Sequence, residues 1–105
     1  MKLVQVLLPP ERLAAVQEQL SAVEVFRMTV SDVQGVRLPP GGRPLSADSF
    51  ESRPMVKLEI GVNEDYVEPT VQAVLRAGAS AGKLFVLPIE QVMRIRTGEQ
   101  GPEAI

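Results

Sequence analysis

"MVKLEIGVNEDYVE", Met55 to Glu68, decides the fold. Val56, Leu58, Ile60 and Val62 alternate with Lys57, Glu59 and Gly61, and a period of two marks a strand with one buried face. Asp65 and Glu68 then have the spacing of a helix capping box, with Asp in place of Ser or Thr. The helix opened there carries Val67, Val71, Val74 and Leu75 on one apolar stripe. It holds Pro69 in its first turns and ends at Gly78. A strand running straight into an amphipathic helix needs further strands to pair with, and the flanking sequence supplies them.

Upstream, "KLVQVLL" (Lys2 to Leu8) is apolar at nearly every position and reads as a central strand. Pro9-Pro10 ends it, and Pro10 suits a first helical position, where its missing N–H is no loss. From Glu11 on, Leu13, Val16 and Leu20 recur at i, i+3 and i+7, the stripe of an amphipathic helix. Val25 to Val33 alternates again, with Phe26, Met28 and Val30 on one face and Arg27, Thr29 and Ser31 on the other. Downstream, Leu84 to Leu87 is a fourth strand and Pro88 to Gln91 a turn. Val92 to Arg96 reads as a short fifth strand that sets Arg94 and Arg96 side by side around a buried Ile95.

The order β-α-β-β-α-β is that of an α+β, ferredoxin-like sandwich. One antiparallel sheet carries two helices on one face, with a short extra C-terminal strand, and residues 1–105 form a single domain. The face without helices carries Lys57, Glu59 and Gly61 with Arg27, Thr29 and Ser31, a mixed polar surface suited to partial burial against other subunits. Between the second and third strands the pattern dissolves into "QGVRLPPGGRPLSADSFESRP", Gln34 to Pro54, rich in turn formers. A loop of this length in a small domain is usually functional or disordered.

Composition narrows the function. The chain has 105 residues, 45% of them hydrophobic but only 4% aromatic, so Val, Leu, Ile and Met must build the core. It has no cysteine and no histidine. Disulfides, thiol nucleophiles, imidazole bases and His- or Cys-ligated metals are thereby excluded. Net charge is −2, with no Lys/Arg run to serve as a nucleic-acid footprint. Leu3 to Leu8 is too short for a signal h-region or a membrane span, so a cytoplasmic protein without membrane insertion is expected. Glu64, Asp65 and Glu68 complement a helix N-terminus rather than hold a metal. No catalytic or metal constellation can be assembled, and an enzyme is not expected. For Arg94 and Arg96, two readings remain: surface or interface ion pairs with acids such as Glu90 or Glu99, or a clamp for an anion.

Four stretches resemble the nitrogen regulatory P-II signal-transduction proteins: "MTVSDVQG" (Met28 to Gly35), "VKLEIGVNEDYVE" (Val56 to Glu68), "GKLFVLPIEQVMRIRTGE" (Gly82 to Glu99) and the closing "EAI". The resemblance implies a ferredoxin-like fold assembled as a homotrimer, with adenine nucleotides bound in clefts between subunits. It implies that phosphates are held by a glycine-rich loop after the second helix, the lysine that follows it, the arginine pair and the base of the central loop. Matched by position, these are Gly82 and Lys83, Arg94 and Arg96, and Thr29, Gly35 and Arg37. The central loop, 34–54, corresponds to the family's T-loop, which changes shape with ligand and docks onto a transporter or a metabolic enzyme.

The chain also departs from that pattern. Its link "RAGASAGK" (Arg76 to Lys83) is shorter than the family's glycine loop and lacks the Thr-Gly and Gly-Asp elements. Met55 stands where the family has a lysine. The only tyrosine is Tyr66, on a helix, so modification of a loop tyrosine is excluded. A lost charged hydrogen bond costs about 1.5–3 kcal/mol. The effector is therefore expected among ATP, ADP, AMP and a smaller bicarbonate-like anion, with no covalent cofactor. The alternative is a structural interaction module that has lost nucleotide binding.

Overall fold

Two consecutive prolines shape the first connection. β1 (Lys2–Leu8) stops at Pro9, and Pro10 opens a 3-10 turn, Pro10–Arg12, closed by the Arg12 N–H donating to the Pro9 carbonyl at 3.0 Å. α1 (Leu13–Ala22) follows directly and buries Val16 and Leu20, as its spacing requires. The structure, a computed structural model, describes residues 1–39, 41, 51–78 and 82–105.

α1 ends in a Schellman cap. The Val25 N–H donates to the Leu20 carbonyl at 2.9 Å and the Glu24 N–H to the Ser21 carbonyl at 3.0 Å. Glu24 takes φ 63°, a left-handed conformation normally left to glycine. The cap explains a displaced boundary. Val25 commits its N–H to the helix end and cannot join a ladder, so β2 begins only at Thr29 (Thr29–Arg37), not at Val25. Phe26, expected on a buried strand face, is 70% exposed in the connector.

β2 also runs further than its turn-rich composition indicates. It pairs with β3 (Glu51–Val62) from Thr29↔Glu59 through to Arg37↔Glu51. The two ends of the expected loop, Gln34 to Arg37 and Glu51 to Pro54, are therefore a β-ribbon; residues 40 and 42–50 lie outside the described residues. Pro54 is tolerated inside β3 because β1 has already ended at Leu8↔Val56, leaving that flank without a ladder to break.

α2 (Glu64–Arg76) starts one residue before Asp65, with Asn63 in the capping position. Asn63 does not cap through its side chain: its Nδ2 donates to the Pro102 carbonyl at 3.0 Å and ties down the C-terminus. Glu64 instead accepts from the Met1 ammonium at 2.9 Å. The buried stripe is Thr70, Ala73 and Val74, flanked by Val67 and Ala77, whereas Leu75 is 60% exposed. Thr70 escaped notice because it is polar. Its hydroxyl is satisfied inside the helix by the Tyr66 carbonyl at 2.6 Å, which is what permits full burial. Gly78, at φ 68°, ends the helix. Of the short connector expected over Ala79 to Gly82, residues 79–81 lie outside the described residues.

β4 (Lys83–Pro88) pairs antiparallel with β1, from Leu7↔Lys83 to Lys2↔Pro88. The four-stranded sheet is ordered β2-β3-β1-β4 and is antiparallel throughout its ladders, as the ferredoxin-like topology requires. Val4, Val6 and Leu8 from β1 and Val56, Leu58, Ile60 and Val62 from β3 form one buried layer with Val16, Leu20, Ala73 and Val74 of the helices. The register places Leu3, Gln5, Leu7, Lys57, Glu59, Lys83, Phe85 and Leu87 on the opposite face. That face is half apolar and carries no helix.

The fifth strand does not form. The chain folds back at Thr97-Gly98, so the Arg94 N–H donates to the Glu99 carbonyl at 2.9 Å and the Gly98 N–H to the Arg94 carbonyl at 2.8 Å. A single bridge, Met93↔Gln100, is the remnant of strand pairing. Arg94 and Arg96 therefore do not share a strand face, and Ile95 between them is 99% exposed, not buried.

Candidate functional site

Where β1 stops, its neighbours continue. β3 and β2 extend past Leu8 as the ribbon, while β4 begins across the gap with Lys83 paired to Leu7. This notch is an open cleft of about 1000 Å³. Of the site residues expected from sequence, Gly35, Arg37, Gly82 and Lys83 all line it. Gly35 comes from β2 opposite Arg53, and Arg37 from the same face two residues on. Lys83 enters from the far side of the sheet.

Gly82 is fixed by more than ligand chemistry. At φ 144° it passes the β1 backbone so closely that a Cβ would sit 2.2 Å from the Leu7 carbonyl oxygen. Only glycine fits, and the close passage positions Lys83 at the first rung of β4. Gly35 is tight for a different reason. A Cβ there would lie 3.0 Å from the Met55 Cγ and 3.8 Å from the Arg53 Cγ, so the stems of both side chains extend over its bare backbone.

The cleft is cationic in balance. Lys83, Arg37 and Arg53 line it against Glu11 and Glu51. Among the described residues none of the three cations has an ion-pair partner, whereas Lys57 on the same sheet face is held by Glu59 at 4.0 Å. Arg53 was missed because it fell within the stretch read as loop. The signal was present: Glu51, Arg53, Met55, Lys57 and Glu59 continue the period of two already seen in Met55 to Val62.

The remaining residues lie elsewhere. Thr29 lines a groove with Glu59, Gly61 and Ile105, and Arg94 an adjoining one with Asn63, Tyr66 and Ile105. Six positions of β2 separate Thr29 from Gly35, a distance of about 20 Å at roughly 3.4 Å per residue. One chain thus carries the expected residues in two groups toward opposite ends of its sheet. Arg94 is also engaged locally, its Nε lying 3.5 Å from Glu99 Oε1, the ion pair anticipated as the simpler reading of the arginine doublet. Arg96 lies in the turn beyond Ile95.

The sequence that folds this way has relatives among known proteins. The family model for the nitrogen regulatory protein P-II matches residues 1–99. The chain belongs to the P-II family. It is 43% identical to the nitrogen regulatory protein GlnK1 of Methanosarcina mazei, in an alignment covering all of this chain and 97% of that protein. It is 35% identical to the P-II protein of Cereibacter sphaeroides and 33% identical to that of Azospirillum brasilense, over the full length of both chains in each case. No helix among the described residues is long and apolar enough to cross a membrane.

Proposed function

We propose that this P-II protein is a non-catalytic cytoplasmic sensor. Three copies associate, and each cleft between them takes an adenine nucleotide (ATP, ADP or AMP) or a small bicarbonate-like anion. One subunit supplies Gly35, Arg37, Gly82 and Lys83, and the next supplies Thr29, Arg94 and Arg96. Ligand at the ribbon base biases the central loop 34–54, which docks onto a partner protein, a transporter or a metabolic enzyme. A ligand shifts such a loop only if it contacts the two loop states differently. Arg37, on the ribbon itself, supplies that difference.

The observation that carries this reading is the separation of the site residues into two groups along one sheet. Neither group alone surrounds an anion, and a second subunit brings the missing half. The helix-free face, with Leu3, Leu7, Phe85 and Leu87, offers the apolar surface for that association. Light scattering combined with calorimetric titration of ATP, ADP and AMP tests it. A trimer that binds at least one of these is expected. A monomer, or a trimer giving no heat with any nucleotide and no response to bicarbonate, contradicts it.

A second reading is favoured by one observation. Arg94 already has Glu99 as a partner at 3.5 Å, so its charge is partly answered without a ligand. In that reading the chain is an interaction module that keeps the trimer and has lost the ligand. Arg94→Ala then weakens assembly and alters no ligand response.

A further inference from the structure

Asn63 stands under two demands that one side chain cannot meet together. Its backbone, at φ −77° and ψ 163°, already has the extended conformation of a helix N-cap, and asparagine is among the best capping residues. The first N–H groups of a helix have no partner inside it. The Tyr66 N–H reaches the Asn63 backbone carbonyl at 2.9 Å, which leaves the Asp65 N–H as the donor that a capping side chain takes. Yet the Asn63 side chain makes no capping bond. It turns the other way and donates from Nδ2 to the Pro102 carbonyl at 3.0 Å. That choice strands its Oδ1, which is buried and has no hydrogen-bond partner among the described residues. A buried acceptor left without a donor loses its hydration and gains nothing in return.

What the amide holds is the closing 3-10 turn, Pro102–Ala104, and through it the hairpin that carries Arg94. The turn is closed by the Ala104 N–H donating to the Gly101 carbonyl at 2.9 Å, and the Gly101 N–H donates in turn to the Val92 carbonyl at 3.2 Å. Beyond the turn, Ile105 lines both the groove of Thr29 and that of Arg94, so it adds apolar contact to the clamped position. The first turn of α2 and the Arg94 hairpin thus compete for one side chain.

We propose that Asn63 is a two-position latch. In the clamped position Nδ2 holds Pro102, and the first turn of α2 goes without its cap. In the released position the side chain rotates, Oδ1 accepts from the Asp65 N–H, and the closing turn lifts off both grooves with Ile105. One hydrogen bond is exchanged for another and the stranded oxygen is satisfied, while the apolar contact of Ile105 opposes release. Terms of similar size and opposite sign keep both positions populated. Asn63 is therefore a positioning residue: the rotation that caps α2 also frees the hairpin on which Arg94 sits. The latch stands on the chain's own bonds and does not rest on the nucleotide reading.

Amide hydrogen exchange of the full-length protein, followed residue by residue by NMR, tests the latch in wild type, Ile105→Ala, Asn63→Ala and the double variant. Ile105→Ala weakens the clamped position without touching Asn63. Exchange at Ala104 and Gly101 is expected to accelerate about five- to tenfold, and exchange at Asp65 to slow about twofold as the released side chain caps the helix. Asn63→Ala has neither donor nor acceptor. In it Ala104 and Gly101 accelerate by a similar factor while Asp65 does not slow, and adding Ile105→Ala leaves Asp65 unchanged. A plain tether with no second position behaves otherwise. Asp65 in Ile105→Ala then stays as in wild type or accelerates together with Ala104, and either result overturns the proposal. Unchanged exchange at Ala104 and Gly101 in Asn63→Ala overturns it as well, since the amide would then hold nothing.

Discussion

The two ends of the sheet are built differently. At the Gly82 end the backbone is held by its neighbours: β4 pairs with β1 at every residue, and Gly82 touches the Leu7 carbonyl with no room for a side chain. At the Arg94 end the chain has left the sheet. It is closed on itself by the Arg94–Glu99 bonds and the Met93↔Gln100 bridge, and the Asn63 amide on Pro102 ties it to the start of α2. The first end presents Lys83 in a fixed place. The second is a small turn that leaves Ile95 exposed and pairs Arg94 with Glu99.

The sharpest way to break the contrast is to add one methyl group at each end. Gly82→Ala drives a Cβ into the Leu7 carbonyl at a left-handed φ and is expected to cost about 2–5 kcal/mol. Gly98→Ala, at φ 72° but with nothing within 4 Å of the added atom, is expected to cost about 1–2 kcal/mol. Urea unfolding of both variants reads the difference; equal costs would mean that the two ends are equally constrained.

Next in size is the effect on association. Phe85→Asp places a charge on the helix-free face midway between the two ends and is expected to shift the protein to monomer in size-exclusion chromatography. Its secondary structure should stay intact, because Phe85 is 43% exposed in the single chain. An unchanged oligomer would move the contact surface elsewhere.

Most of the fold was legible in the sequence, and the failures share one cause. β1 and β3 were readable because burial on one face imposes a period. The ribbon's outer residues were not, since neither face of Ser52 to Pro54 or Val36 to Arg37 is buried, and Pro and Gly there signal turns. Val25 and Thr70 show the same limit from the other side. Each is decided by a hydrogen bond to a backbone carbonyl, from the Val25 N–H to Leu20 for one and from the Thr70 hydroxyl to Tyr66 for the other, which hydrophobic spacing does not report. For the site, family-like motifs located Gly35, Arg37, Gly82 and Lys83, which the structure gathers. Arg53 required knowing that the strand continued.

Smaller effects refine the comparison by probing segments that join the two ends. Glu24→Gly removes a side chain from a left-handed cap position and is expected to stabilise by about 1 kcal/mol, seen as a raised Tm. Glu64 gives the smallest effect. The hydrogen bond from the Met1 ammonium, aided by the charges of Met1 and Lys2, holds its carboxyl below the usual 4.5. A depressed carboxyl stabilises the fold above its unfolded pKa and loses that contribution as pH falls through the folded value. The unfolding midpoint should therefore drop slightly more on acidification below about pH 4.5 in wild type than in Glu64→Gln. Identical acid profiles would show that the pair adds nothing in solution.

The central claim is that the preformed half of one subunit and the arginine turn of another make a single anion cleft. Subunit mixing tests it most directly: Lys83→Ala and Arg94→Ala chains, each deficient in ATP binding alone, are denatured together and refolded as mixed oligomers. If the halves belong to different subunits, random assembly restores both wild-type halves at about a quarter of the clefts, and ATP binding returns to that extent. Mixed oligomers that bind ATP no better than either variant alone would contradict the account.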